Sequence, residues 1–387
     1  MKFQINPTTR SYKTENKLKQ VDAFILELFR KHKRVLEYDD STAEFYGGAA
    51  ATLTRRNYEK GLGNIWKAEC VAPSLGIKDA TKKDKQKIAD TQEIDELLAL
   101  IPDFKQAIHD NFYDDERKAL ARILSVILHG EVYALAVSAS LIGEVQGTGA
   151  KLGLAMQTME EAKHFIVMRE IVRAIDKVYP QNLGEFLALE RILAAAPMDR
   201  LFGMNLVAES IALTFFGVFS NYPGLEDILP FFHKDEARHS AFPKSYTQEF
   251  PLDKKHKTFR AKQRRTNLVL PLLWMITTLK EDADVLGIDI FDFGGKIIDK
   301  VGKLSVQCDM ETVFPRGDLI RVYNVVFNAY MKKTDPEHYK GFVDYGDYSG
   351  YKLKEGMKER EIDVFGLAKF VPGDFSEKIY NKLRRKL

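Results

Sequence analysis

Two glutamates stand where the pattern of an apolar helix leaves no room for charge. Glu131 lies in Leu124-Ser-Val-Ile-Leu-His-Gly-Glu131-Val-Tyr-Ala-Leu135, and Glu209 in Met204-Asn-Leu-Val-Ala-Glu209-Ser-Ile-Ala-Leu213. A lone carboxylate buried in such a helix costs several kcal/mol unless it is paired or ligated. Each is followed by a second helical pattern that carries Glu-x-x-His: Glu161-Ala-Lys-His164 and Glu236-Ala-Arg-His239. Residues three apart share a helix face, so a carboxylate oxygen and an imidazole nitrogen can point at one atom. The separations, 131 to 161 and 209 to 236, are 30 and 27 residues. Both fit an antiparallel helix pair that runs up for about 15 residues, turns, and returns to the same height. The half-motif thus occurs twice, as a pseudo-two-fold helix bundle requires.

An acid-x-x-His by itself means little. With 55 acids and 8 histidines in 387 residues, about one such match arises by chance. Asp253-Lys-Lys-His256 and Asp335-Pro-Glu-His338 are two more, and neither has a partner acid in an apolar helix. The signal is the joint arrangement.

Composition closes off other classes. The net charge of +3 is too even for a nucleic-acid binder, and the basic tail Lys382, Arg384, Arg385, Lys386 reads as a solvated helix end. Two distant cysteines, Cys70 and Cys308, exclude a disulfide framework and a cysteine zinc site. With no apolar leader in Met1 to Lys13, they point to a reducing cytoplasm. No stretch is expected to reach the roughly 20 apolar residues of a membrane span, the nearest being Asn267 to Leu279 with Pro271 inside it.

Apolar periodicity and Gly/Pro punctuation predict an all-α chain. Helices are expected at 17–36, at 49–60, and over a long-helix bundle at 115–250. Within the bundle the helices are 115–146, 150–178, 183–196, 198–221 and 225–249, broken at Gly147, Pro180, Pro197 and Pro223. Residues 78–92 read as polar and exposed. Further helices are expected at 257–283 and 317–332, within a looser extension that is rich in Gly, Asp and Tyr. The division is a helical flank at 1–114, the bundle at 115–250 and the extension at 251–387, or one large domain containing all three.

One Glu from each of two helices, with Glu-x-x-His from each of two others, is the ligand set of ferritin-like di-iron and di-manganese bundles. On these residues, and on Asp235-Glu236-Ala-Arg238-His239, residues 120–245 resemble the ferritin-like di-iron carboxylate superfamily. Its members include di-iron monooxygenases, N-oxygenases, acyl-carrier-protein desaturases and ribonucleotide reductase small subunits. The resemblance implies a ferritin-like four-helix bundle with added helices at both ends. It implies Glu131, Glu161, His164, Glu209, Glu236 and His239 as metal ligands and catalytic residues. It pairs Asp235 with His164 and Glu160 with His239 across the two halves, with Arg238 neutralising nearby carboxylates. His233, three before Glu236, is a candidate extra ligand of the kind found in the N-oxygenases. His129 is expected at the surface or behind the ligands. Glu144 and Glu170 are expected in solvent, and Phe215, Phe216, Phe219, Phe231 and Phe232 in the core.

The implied cofactor is two Fe ions, with Mn/Fe and Mn/Mn pairs fitting the same ligands, and O2 is the co-substrate. Leu128, Leu135, Met168, Phe202 and Phe216 are expected to keep water from the site. The radical tyrosine of ribonucleotide reductase small subunits follows the first motif's His by four; here that position is Met168. The leading expectation is an O2-dependent di-iron oxygenase or oxidase acting on a small organic substrate. It would draw electrons from an external reductase or donor, and would work as a homodimer without nucleic acid or membrane. The alternatives are a divergent radical-generating subunit and a non-catalytic iron-binding bundle.

Overall fold

A computed structural model of the chain describes residues 101–226 and 228–344, with the short pieces 24–25 and 385–386. The expected helix at 49–60, most of that at 17–36, the polar stretch 78–92, Cys70, and Lys382 and Arg384 of the basic tail lie outside the described residues. Among the described residues every regular element is helical.

Local signals explain where the helices start. α1 spans Ile101–Asn111 and α2 spans Asp114–Leu141. Asp114, Asp115 and Glu116 crowd the first turn of α2, where the helix dipole favours negative charge. The Tyr113 N–H donates to Glu116 Oε2 at 2.7 Å, so that carboxylate also closes the entry. α3, Thr148–Ile175, follows a short turn that ends at Gly147 with φ +77. A Cβ there would meet the Phe250 ring at 2.6 Å, so glycine is required both by conformation and by space. α4, Leu183–Leu193, is capped by Asn182, whose Oδ1 accepts from the Glu185 N–H at 2.9 Å.

Pro197 does more than stop α4. It opens α5, Pro197–Leu201, from the first turn, where its missing N–H costs nothing. α5 runs through a π-helical segment, Phe202–Ala208, into α6, Glu209–Phe219. The single helix expected at 198–221 is therefore interrupted by a wider turn directly before Glu209. α7, Leu229–Glu249, again starts on a proline, Pro230, and carries Pro243 inside it.

The expectation of a looser C-terminal extension is corrected. α8 (Phe259–Thr278), α9 (Lys280–Val285), α10 (Ile290–Gln307) and α11 (Arg316–Thr334) fill most of 259–334. The Phe291-Asp-Phe-Gly-Gly295 stretch, which reads as loop, is the first turns of α10. Asp289 caps it by accepting from the N–H groups of Phe291 and Asp292 at 2.9 and 3.0 Å. Gly294 is there for packing: a Cβ would lie 2.5 Å from Tyr323, which is buried, stacked on Phe291, and donates its hydroxyl to Ile290 O.

α2 and α3 pack along their length as an antiparallel pair, and α6 packs on α7. α8 lies against α4, α9 against α2, and α10 against α6 and α11. One apolar core runs through all of them, from Phe104 to Phe327, so residues 259–334 share the core of 115–250. Arg265, fully buried, ties α8 to α5 through Asp199 at 3.3 Å and to Glu311 O at 3.0 Å.

Two helical runs, Asp114–Leu141 and Pro197–Phe219, do have the length and mean hydropathy (1.6 each) of a membrane span, which the sequence reading did not expect. Their apolar windows are 78% buried inside the fold, as core helices are.

Overpacking at Gly294 gives a direct check. Gly294→Ala is expected to lower stability by about 2 kcal/mol, or several degrees of thermal midpoint. An unchanged midpoint in calorimetry would show that Tyr323 has room to move.

Candidate metal centre

The six expected ligands come from four of the helices just described. α2 supplies Glu131, α3 supplies Glu161 and His164, the start of α6 supplies Glu209, and α7 supplies Glu236 and His239. All six are buried, Glu161 and Glu236 completely. Their donor atoms fall into two overlapping groups, each within 4.8 Å: Glu131, Glu161, His164 and Glu236, and then Glu161, Glu209, Glu236 and His239. Glu161 and Glu236 belong to both groups, so they lie between two candidate ion positions. Four carboxylates with two imidazoles could hold a metal ion.

Both imidazoles turn Nδ1 inward. His164 Nδ1 lies 2.9 Å from Glu236 Oε1 and 3.5 Å from both Glu131 Oε2 and Glu161 Oε2. His239 Nδ1 lies 2.9 Å from Glu161 Oε1, 3.0 Å from Glu236 Oε2 and 4.0 Å from Glu209 Oε1. The outward nitrogens pair across the halves. His164 Nε2 meets Asp235 Oδ2 at 3.1 Å, and His239 Nε2 meets Glu160 Oε2 at 2.8 Å. Arg238 donates to both of those carboxylates, at 2.6 Å to Glu160 and 2.5 Å to Asp235. Such outer carboxylates fix which imidazole nitrogen stays free to ligate.

The atoms that face the middle are the ones left over. Glu131 Oε1 and Glu161 Oε2 are buried and accept no hydrogen bond among the described residues. His164 Nδ1 and Glu236 Oε1 approach each other without hydrogen-bond geometry. Buried polar atoms rarely stay unsatisfied. Convergent lone pairs of this kind fit a pair of divalent cations.

Electrostatics of the metal-free cluster agree. Burial, then the charge of Glu236, pushes the Glu131 carboxyl well above its usual range; burial, then Glu236 and Glu161, does the same to Glu209. Burial would raise Glu161 and Glu236 too, but the imidazoles outweigh it, drawing Glu161 well down and Glu236 to about 2. Burial disfavours charge on both histidines. Even so, the hydrogen bond to Asp235 and three ligand carboxylates raise His164, and the charges of Glu161 and Glu236 raise His239. Asp235, despite burial, is held at about 2 by His164 and Arg238. The raised carboxyls and raised imidazoles both favour keeping protons on the metal-free cluster, which offsets the charge of Glu161 and Glu236.

Other expected residues lie elsewhere. His233 belongs to neither donor group; its Nε2 faces the α6 backbone beside Gly217, and burial and Lys300 depress its pKa. His129 is not at the surface: it is fully buried, with Nε2 at 2.8 Å from Tyr179 O. Glu144 is exposed, and Glu170 pairs with Arg173 at 3.6 Å. Phe215, Phe216, Phe219 and Phe232 are core residues, while Phe231 is half-buried.

A cavity of about 40 Å³ touches Glu131 and Glu209, and its apolar wall is Val126, Ile127, Ala134, Leu189, Met204, Ile211 and Ala212 with Leu272 and Met275 of α8. None of Leu128, Leu135, Met168, Phe202 and Phe216 lines it. Gln157 and Asn205, both buried and bonded into the cluster, were also missed. The available signal for Gln157 was its place four residues before Glu161, on the same helix face.

Comparison with known protein families, with curated proteins and with solved structures finds no match to this chain.

Protons held by the raised carboxyls and imidazoles have to leave when cations enter. Loading the metal-free protein with Fe(II) at neutral pH is expected to release protons, and metal affinity is expected to fall as pH is lowered. An indicator-dye titration that finds fewer than one proton released would contradict this charge assignment.

Proposed function

We propose that the chain is a ferritin-like di-iron carboxylate protein that uses O2 to oxidise or oxygenate a small organic substrate. Support for the dinuclear reading comes from the donor geometry, in which Glu161 and Glu236 serve both positions. Support for O2 chemistry comes from one further observation. The only polar wall contributed by ligands to the small cavity is Glu131 and Glu209, one from each half of the cluster.

A bound, reduced di-iron pair would supply two electrons and the coordination positions that O2 activation needs, and an external donor would restore those electrons. Positioning and proton transfer fall to the chain. Glu131 and Glu209 are the terminal carboxylates nearest the cavity, and their raised pKa values let them take or give a proton there. The two Nε2 contacts keep His164 and His239 facing inward. Arg238, half-exposed, offsets the charge of Asp235 and Glu160. The wall is mostly aliphatic, with Glu185 beside the two ligand carboxylates, and about 40 Å³ admits a molecule the size of O2. An organic substrate of more than a few atoms has to be met by movement of the wall, where α4 and α8 close the cavity over α2 and α6.

Narrowing the cavity separates binding from reaction. Ala212→Leu is expected to keep the metal content of the wild type while slowing O2 consumption by the Fe(II)-loaded protein about tenfold, about 1.4 kcal/mol on the barrier. Fe(II) that stays reduced in air in the wild type would contradict the O2 reading. Unchanged O2 consumption in the variant would contradict the role of this cavity.

A further inference from the structure

The cluster looks symmetric in its ligands, but not in what holds them. On one side Glu131 Oε1 accepts no hydrogen bond among the described residues. On the other, Glu209 Oε1 accepts an N–H from Gln157 at 3.1 Å, and the same Gln157 amide donates to Glu161 Oε1 at 3.1 Å. Glu161 and Glu209 are the acids that, with His239 and Glu236, form the second donor group.

The direction of these bonds is dictated by the backbone. Pro243 stands four residues after His239 in α7 and has no N–H, so the His239 carbonyl loses its helical donor. Asn205, in the π-helical segment, donates Nδ2 to that carbonyl at 3.0 Å. A carbonyl only accepts, which fixes which way the Asn205 amide points. The other Nδ2 hydrogen goes to Gln157 Oε1 at 2.8 Å, so Gln157 has to turn its NH2 toward the carboxylates. Both amides are buried, and Asn205 Oδ1 accepts no hydrogen bond among the described residues.

We propose that Gln157 is a positioning residue, oriented through Asn205 by the proline-freed His239 carbonyl, that selectively supports the metal position on the His239 side. The proposal rests on the dinuclear reading above. A carboxylate oxygen has a second lone pair, so an N–H on Glu209 Oε1 and on Glu161 Oε1 still leaves each able to bind a cation. The amide holds those oxygens in place, whereas Glu131 Oε1 has no such donor and only its Oε2 is near His164. The two positions therefore differ in the rigidity of their terminal acid.

The test is an anaerobic calorimetric titration of the full chain with Fe(II). Wild type is expected to take two ions per chain. In Gln157→Leu one position keeps its affinity within about threefold and the other weakens by roughly 10–100-fold, the usual cost of losing an outer partner of a ligand. Adding Glu131→Ala to Gln157→Leu should then remove the remaining tight site. Pro243→Ala restores an N–H to the His239 carbonyl and is expected to weaken the same single position without lowering the thermal midpoint. A merely structural role would not produce that split. Wild-type isotherms in Gln157→Leu, or equal weakening of both positions, would overturn the proposal while leaving the dinuclear reading intact. A wild type that binds no Fe(II) would overturn both.

Discussion

Four carboxylates share one buried space between α2, α3, α6 and α7, and the surrounding structure answers their repulsion. Two like charges about 4 Å apart repel by about 4 kcal/mol even at an effective dielectric near 20. The chain meets this in layers. Two imidazoles face the carboxylates, two further carboxylates face the imidazoles, and Arg238 faces those. The raised affinity of Glu131 and Glu209 for protons adds to the balance without metal. Four ionised carboxylates around two divalent cations would complete it with metal. The same six side chains thus have two charge-compensated states, separated by protons exchanged for cations.

The geometry of the helices makes this compact. Ligands at matching heights on antiparallel neighbours need only one turn of each helix, so the rest of every helix remains apolar and builds the core. That is how α2 and the α5–α6 run attain the hydropathy of a membrane span while each carries a carboxylate at its middle. The π-helical turn before Glu209 breaks the symmetry between the halves. It brings Asn205 to the His239 carbonyl, an acceptor that Pro243 leaves open.

Much of this was legible in the sequence because it depends on local spacing. Glu-x-x-His needs only helix periodicity, and the boundaries near 147, 180, 197 and 223 follow from Gly and Pro. The crosswise pairs, Asp235 with His164 and Glu160 with His239, came from the resemblance, since no spacing rule predicts contacts 71 and 79 residues apart. What was missed depends on packing. Gly294 and Gly295 read as breakers, yet Asp289 caps a helix there and Tyr323 occupies the space left by the absent Cβ. Leu128 and Phe216 have the right periodicity for a core, but which apolar face meets the cavity is set by where α4 and α8 lie. Gln157, an uncharged amide, carries no sequence signal of its own beyond its shared face with Glu161.

The central claim is that the cluster holds two metal ions bridged by Glu161 and Glu236. The direct measurement is metal per chain by elemental mass spectrometry, after anaerobic reconstitution with Fe(II), in wild type, Glu161→Ala and Glu236→Ala. Near two iron per chain in wild type, with a sharp fall in both variants whose helical spectra match wild type, is the expected result. Wild type without iron or manganese, or variants that retain both ions, would contradict it and leave the six residues as buried polar pairs.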